Sequence, residues 1–356
     1  MKILVDGRTF SLQRKGGVSK VWTELLRQFD AMGHDITLAL YPNGESNVHL
    51  SAAVKSFSPR FSTISLSVPP SDSSNHAGEE AEKLREKEVL AAGKSYDLLV
   101  NTYYGEPLLK DLPYAVVFHD FAHEDLDLFR LRPTTAHVLH LKRLAAAHAT
   151  GLIFITRYSR ERYHELYGRP AAVDRVIYHG NEPVKGPLPK KKRQMLHVGS
   201  RGLYKNFPVL YPLFKDAMKA DYNVVIAGGE AADAELNAFR DEYAAMFQIV
   251  PQPSDVEMHK LMLELAYFVS ASKYEGFGLP LLQALASGTW PIVSKIEPYV
   301  EIAGTNATYM RNDDLSAARV VVNSKYPPVA VRRERLWDLV ATEYLDFFKY
   351  MLRANV

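Results

Sequence analysis

Ser272-Lys273-Tyr274-Glu275-Gly276-Phe277-Gly278-Leu279-Pro280-Leu281-Leu282-Gln283 sets a glycine-rich turn between an apolar run ending at Ser270 and a helix opened by Pro280. Proline is favoured in a first helical turn, where its missing N–H would have no intrahelical partner anyway. Gly278 and Leu279 then offer free amides at the helix start. Glu275 precedes that helix, where a carboxylate accepts hydrogen bonds from sugar hydroxyls, and Gln283 follows about one turn in. A strand, a binding turn and a helix form the repeating unit of open parallel α/β sheets, which collect ligands beyond the carboxyl ends of their strands.

The same unit recurs along the chain. Ile3-Leu4-Val5 reads as a buried strand, and Val18, Val21, Trp22, Leu25, Leu26 and Phe29 line one helical face after it. Ile36 to Leu40, Leu98 to Val100, Ala115 to Phe118 and Leu152 to Ile155 are further strands. Asn181 to Pro189 carries three prolines and a glycine and reads as a linker, since proline fixes φ and removes donors. The alternation then restarts with strands Met195 to Val198, Val224 to Ala227, Tyr267 to Ser270 and Trp290 to Val293. Phe207, Leu210, Tyr211, Phe214 and Met218 share a helical face between the first two. The pattern predicts α/β architecture in two doubly wound halves: residues 1–182, residues 183–335, and a terminal helix over 336–356.

Three stretches break the rhythm. Ser56 to Lys94 begins as loop, through Pro69-Pro70 and Ser71 to Asn75, and continues as a charged, helix-prone run from Glu79 to Ala92. A functional loop and a mobile one stand as equal readings of it. Lys190-Lys191-Lys192-Arg193 reads either as a solvated linker or as a peripheral contact with an anionic membrane surface. Trp337, Val340, Tyr344, Phe347, Phe348 and Met351 recur at helical spacing, which predicts an amphipathic helix packed on a core.

Composition narrows the function classes. Of 356 residues 47% are hydrophobic, enough for two cores. The 43 basic and 41 acidic residues nearly cancel, which argues against nucleic acid as a partner. With no cysteine there is no disulfide, thiolate metal site or cysteine nucleophile. The opening MKILVDGRTF reaches Asp6 and Arg8 too early for a secretory signal, and no apolar run approaches the ~18 residues of a membrane span. The expectation is a soluble, cytoplasmic protein.

Two further turns carry chemistry. Gly16-Gly17 lies between the first strand and helix, where a phosphate or sugar can approach a backbone without Cβ atoms. The spacing is not that of a dinucleotide fingerprint, so a nicotinamide oxidoreductase is disfavoured. His197-Val198-Gly199-Ser200-Arg201-Gly202-Leu203-Tyr204-Lys205-Asn206 puts two cations, Arg201 and Lys205, into one strand-to-helix turn. Two fixed cations with backbone amides can neutralise a diphosphate without a metal.

The run YEGFGLPLLQALASGTWPIVSKI, residues 274–296, resembles the donor-site signature of the retaining GT-B glycosyltransferases of family four. VGSRGLYKN (198–206), VVIAGG (224–229), Val176 to Asn181, Gly16-Gly17 and His119-Asp120 follow in the family's order. The resemblance implies two Rossmann-like domains facing across a cleft, an amino-terminal one for the acceptor and a carboxyl-terminal one for the nucleotide-sugar. It implies that Arg201 and Lys205 hold the donor diphosphate and that Gly16 and Gly17, with Gly199 and Ser200, approach its phosphates. Glu275 would bond hydroxyls of the transferred sugar, the backbone of Gly276, Phe277, Gly278 and Leu279 would contact sugar or phosphate, and His119 would lie by the reacting sugar. Gln283 stands where the family usually has a second glutamate, which puts ribose binding in question.

The implied activity is metal-independent, retaining transfer to a glycan or lipid-linked saccharide, with no cofactor beyond the donor. VGSRGLYKN resembles mannosyltransferase-type members, which favours a GDP-sugar and points to surface polysaccharide such as O-antigen, lipopolysaccharide or capsule. A GT-B sugar-nucleotide epimerase and a catalytically silent donor-binding homologue remain alternatives; glycoside hydrolysis lacks its pair of carboxylates.

Overall fold

The computed structural model describes residues 1–70, 76–130, 132–184, 186–229, 234–311, 313–324 and 335–354. Ser71 to Asn75 of the long excursion and Lys185 of the linker lie outside the described residues. The chain forms two units, Met1–Gly180 with Leu336–Val356, and Asn181–Arg335. The division falls at Gly180, just ahead of the prolines. Asn181 N–H donates to Arg335 O at 2.8 Å, and Arg335 N–H to Asn181 Oδ1 at 2.9 Å. The two ends of the second unit are thereby tied together.

Among the described residues the first unit carries seven strands: β1 (Lys2–Asp6), β2 (Asp35–Leu40), β3 (Phe61–Ser65), β4 (Leu98–Asn101), β5 (Tyr114–Phe118), β6 (Gly151–Phe154) and β7 (Val173–Val176). They form one parallel sheet in the order β3-β2-β1-β4-β5-β6-β7. The second unit carries β8 (Lys192–Val198), β9 (Asn223–Ala227), β10 (Phe247–Val250), β11 (Leu265–Ser270), β12 (Trp290–Ser294) and β13 (Thr308–Met310). These are parallel too, in the order β10-β9-β8-β11-β12-β13.

Strands β3, β7, β10 and β13, which the apolar runs did not announce, are the outermost strands of the two sheets. Inner strands of a parallel sheet are covered on both faces and read as continuous apolar runs, as in β5 (YAVVF). An edge strand meets solvent along one flank and keeps polar residues, as in β3 (FSTIS) and β7 (VDRV), whose residues are mostly half-buried. The opening of the 56–94 excursion is therefore corrected: Phe61–Ser65 pairs with β2 in full register rather than looping, and a helix follows over His76–Ala91.

Within the basic run Lys190, Lys192 and Arg193 are exposed, whereas Lys191 is taken into the fold. Lys191 Nζ donates to Leu263 O at 2.8 Å, Ser287 O at 2.6 Å and Thr289 Oγ1 at 2.9 Å. It thus closes the carboxyl ends of two helices, Asp255–Glu264 and Leu279–Ala286, whose last carbonyls lack intrahelical donors. Burial pulls Lys191 down to about 8, so it still carries its charge at neutral pH. Lys192 pairs with Glu264, and the Arg193 guanidinium lies 4.2 Å from the centre of the Tyr222 ring. Among the described residues no helix is long and apolar enough to cross a membrane.

The helix Trp337–Ala354 packs into the first unit with Trp337, Val340, Tyr344, Phe347, Phe348 and Met351 all buried. Its Tyr344 ring meets Trp22 edge-on at 6.3 Å, and Phe348 meets Phe29 at 6.1 Å. Gly151 opens β6 beneath it. A Cβ there would fall 2.5 Å from Met351 Sδ and 3.1 Å from the Phe347 ring, so a larger residue would have to displace the Met351 side chain.

Candidate functional site

In the second unit the parallel register brings the turns after β8, β9 and β11 to one sheet edge. His197 lies opposite Val269 and Val198 opposite Ala227. Gly199 N–H continues the ladder to Ala227 O at 3.0 Å, and Gly228 N–H to Val250 O at 3.0 Å. The Gly228-Gly229 turn packs under the Gly199-Ser200-Arg201 turn. A Cβ on Gly229 (φ 82°) would fall 2.5 Å from Gly199 O and 3.2 Å from Arg201 Nη1, so residue 229 needs glycine for both backbone and space. Arg201 is half-buried, with its guanidinium carbon 5.9 Å from the Phe207 ring centre. His197 beneath it is buried, hydrogen-bonds Val269 O at 3.1 Å through Nδ1, and is held down to about 4 by desolvation. It is a neutral structural group.

Lys205 and Glu275 come together. Lys205 ends a short 3₁₀ turn, Leu203–Lys205, which Lys273 N–H grips through Tyr204 O at 2.7 Å. Lys205 Nζ donates to Glu275 Oε1 at 2.7 Å, and the same oxygen accepts from Ser272 Oγ at 2.8 Å and Tyr299 OH at 3.0 Å. Ser270 Oγ joins Ser272 Oγ at 3.0 Å and Tyr299 OH at 2.9 Å. With Oε1 committed to three protein donors, Oε2 is the carboxylate oxygen left for a ligand. Gly278 caps the following helix in the left-handed region, φ 100°, and a Cβ there would fall 2.6 Å from the Tyr299 ring. Phe277 is buried and anchors the turn, whereas Gly276 and Leu279 are half-buried. Pro280 takes the second position of the helix Leu279–Ala286.

Gln283 is not part of this cluster. It lines a small pocket with Asn181, Glu182, His259 and Met262, among which neither Lys205 nor Glu275 is found. Tyr299, Ser270 and Gly228-Gly229 are participants the sequence did not assign. The glycine pair carried a legible signal, being a second glycine turn after an apolar strand. Tyr299 carried none, because it enters from a helix 24 positions beyond Glu275.

In the first unit His119 follows β5 and is buried. Its N–H donates to Tyr104 OH at 3.0 Å, and its Nε2 lies 3.2 Å from Thr102 O. A carbonyl only accepts, so Nε2 carries the proton and Nδ1 is an acceptor. Desolvation lowers His119 to about 4, leaving it neutral at physiological pH. Lys142, fully buried, braces the adjoining turn through Asp120 O at 2.8 Å and both oxygens of Glu124.

Gly16 and Gly17 open the helix Gly17–Ala31, which has no side-chain cap. Gly16 is extended, φ −169°, a conformation open to any residue. What its missing Cβ accommodates is the amide of Gln13, whose Oε1 lies 2.3 Å from the Cβ position.

The family model described as Glycosyltransferase Family 4 matches residues 15–183, and that described as Glycosyl transferases group 1 matches residues 180–314. The chain is 28% identical over 182 residues to a GDP-mannose:cellobiosyl-diphosphopolyprenol alpha-mannosyltransferase of Komagataeibacter xylinus, covering 45% of this chain and 46% of that protein. The matched region spans less than half the length of the curated relatives. In structure the chain is similar to a sucrose-phosphate synthase from Thermosynechococcus elongatus, with TM-score 0.73 and 16% identity over 99% of this chain and 100% of that one. It is also similar to Anabaena Alr3699/HepE, solved with UDP and glucose, with TM-score 0.67 and 15% identity over 99% of both chains. At such identities the structural likenesses speak for the fold alone. With one model covering β2 to β7 and the Gly16-Gly17 turn of the first unit and the other covering the Arg201, Lys205 and Glu275 turns, the chain belongs to the GT-B glycosyltransferases of the family 4, group 1 type.

Proposed function

We propose that this protein is a retaining glycosyltransferase that moves a sugar from a nucleotide-sugar, a GDP-hexose such as GDP-mannose in first place, to a lipid-linked saccharide in surface polysaccharide assembly. The carrying observation is the cation–carboxylate pair Lys205–Glu275, set at one sheet edge beside Arg201 on its double-glycine support. Arg201 and Lys205 neutralise the donor diphosphate. Glu275 holds Lys205 with Oε1 and takes a hydroxyl of the transferred sugar with Oε2. The acceptor oxygen attacks the anomeric carbon on the face from which the diphosphate departs. The new C–O bond forms as the glycosyl–phosphate bond breaks, and the acceptor proton passes to the leaving phosphate oxygen. Charge grows on that phosphate in the transition state, where preorganised cations and amides are most effective. Neutral His119 accepts a sugar hydroxyl at Nδ1.

The K. xylinus relative is named for GDP-mannose and a polyprenol-linked cellobiosyl acceptor, which supports both choices. The reading puts the reaction in the cytoplasm, at the inner face of the membrane that holds such an acceptor.

The test pairs binding with turnover. GDP at 100 times its Kd should stabilise the fold by about 2.7 kcal/mol, and more than UDP or dTDP at equal concentration. Labelled mannose should move from GDP-mannose to a polyprenyl-diphosphate disaccharide at the same rate with and without EDTA, giving the axial anomer. No stabilisation by any of the three nucleotides, together with no transfer from their sugars, would end the proposal.

A further inference from the structure

Beyond the carboxyl ends of β11, β12 and β13 the second unit holds a cavity of about 620 Å³, whose walls include Ser272, Lys273, Ser294, Lys295, Arg311 and Asp313. We propose that it is a second anion site, apart from the one that takes the donor diphosphate, and that it holds a phosphate or diphosphate ester.

Uncompensated charge is the first ground. Lys273, Lys295 and Arg311 are exposed, and none of their side chains forms a hydrogen bond or ion pair among the described residues. Other cations of this unit find carboxylates: Lys205 pairs with Glu275, Lys192 with Glu264, and Arg319 with Asp216 at 2.7 Å. The carboxylate in the cavity wall is Asp313, whose Oδ1 accepts from Asn206 Nδ2 at 2.6 Å. Three cations against one carboxylate leave surplus positive charge in a concave wall, which focuses the field on an anion.

The sheet register explains why the three cations meet. Ser270 lies opposite Val293, and Ser294 opposite Met310, so β11, β12 and β13 end together. Lys273, Lys295 and Arg311 each follow one of these ends by one to three positions. Backbone donors there are already committed: Lys273 N–H to Tyr204 O at 2.7 Å, Lys295 N–H to Met310 O at 2.8 Å, and Ile296 N–H to Ser294 O at 3.0 Å. Recognition therefore falls to side chains. Lysines act as mobile point charges, and the arginine fork matches two phosphate oxygens. The half-buried Ser294 hydroxyl, with no hydrogen bond among the described residues, adds a neutral donor. Buried Ala271 and Met310 complete the wall with apolar surface.

The cavity is not the donor site. Its walls contain neither Arg201, Lys205 nor Glu275, and β11 separates β12 from β8, the strand that leads into the Arg201 and Lys205 turn. The two sites adjoin all the same. Ser272 Oγ donates to Glu275 Oε1, and Asn206, which reaches Asp313, follows Lys205 directly. The occupant shares one chemistry whether it is the diphosphate of a lipid-linked molecule or a free phosphate.

The experiment titrates inorganic diphosphate and geranyl diphosphate by calorimetry at one fixed ionic strength, because salt screens exposed charges. It uses the full native chain and Arg201→Ala/Lys205→Met, which disables the donor cations. At least one probe should bind both proteins. Adding Lys273→Gln, Lys295→Gln and Arg311→Gln to the double variant should weaken that binding about tenfold or more. Adding Lys190→Gln, Lys219→Gln and Lys260→Gln instead removes the same charge elsewhere and should change it about twofold or less. Tighter binding of geranyl diphosphate assigns the site to a lipid-borne group, and equal or tighter binding of inorganic diphosphate to a free one. No binding to Arg201→Ala/Lys205→Met, or equal losses from the two glutamine sets, would overturn the proposal. If the probes follow Lys273, Lys295 and Arg311 while Arg201→Ala leaves nucleoside diphosphate affinity intact, the transferase reading fails and the anion site stands.

Discussion

Lys205 Nζ donates to Glu275 Oε1 at 2.7 Å, although 70 positions of chain separate the two residues. Both are less than one-fifth exposed, so water screens the pair only in part. Glu275→Gln keeps an oxygen but discards the charge that holds Lys205, Ser272 and Tyr299 on one atom. Turnover should fall roughly 100-fold or more, with a stability loss of about 1–2 kcal/mol. A double-mutant cycle with Lys205→Met, read by urea unfolding, should give coupling of about 1 kcal/mol. Additive losses would mean that the two side chains act separately.

Arg201 sits over Gly229, which allows a test of its placement without removing its charge. Arg201→Ala should reduce kcat by orders of magnitude with little change in Tm, since the side chain is only half-buried. Gly229→Ala should weaken nucleoside diphosphate binding while leaving the guanidinium present. Full donor affinity in both variants would remove Arg201 from the site.

Gly278 has φ 100° and its missing Cβ would meet the Tyr299 ring at 2.6 Å. Gly278→Ala should cost about 2–4 kcal/mol, part backbone strain and part crowding. Tyr299→Leu relieves only the crowding, so the double variant should be less destabilised than the sum of the singles. Denaturant midpoints of the four proteins measure this.

Lys191 and Lys190 are neighbours in a run of like charge with opposite fates. Lys191→Met leaves the ends of two helices without their donor and should cost about 2–4 kcal/mol. Exposed Lys190→Met should stay within about 0.5 kcal/mol. Equal losses would contradict the structural role of Lys191.

His119 and His197 are both lowered to about 4 by burial, from an ordinary value of 6.5. The unfolded chain therefore binds more protons than the native one between those values. Stability contributed by the neutral rings is complete above pH 6.5 and is lost as pH falls toward 4. From pH 7 to pH 5 each should cost about 2 kcal/mol. Imidazole NMR signals that titrate near 6.5 in the native protein would refute this.

How much of this was legible depends on where each interaction is made. The inner strands could be read because residues such as Ile3, Leu4 and Val5 are apolar on both faces of a covered sheet. The helix at Pro280, the terminal amphipathic helix and the glycine turns are likewise local patterns. The edge strands were obscure because a half-solvated strand such as Val173–Val176 need not be apolar. Lys191 was obscure because a lysine in a basic run looks the same whether water or three protein acceptors surround its ammonium.

The sequence by itself determined the strand-turn-helix alternation, the place of the linker and the presence of Arg201, Lys205 and Glu275 in turns after strands. Periodicity and backbone propensity act over a few residues, so these features need no partner to be visible. Only the tertiary structure decided that Lys205 and Tyr299 meet on one oxygen of Glu275 and that Lys191 donates to the ends of two helices. Those relationships depend on sheet order and register, which juxtapose side chains far apart in sequence.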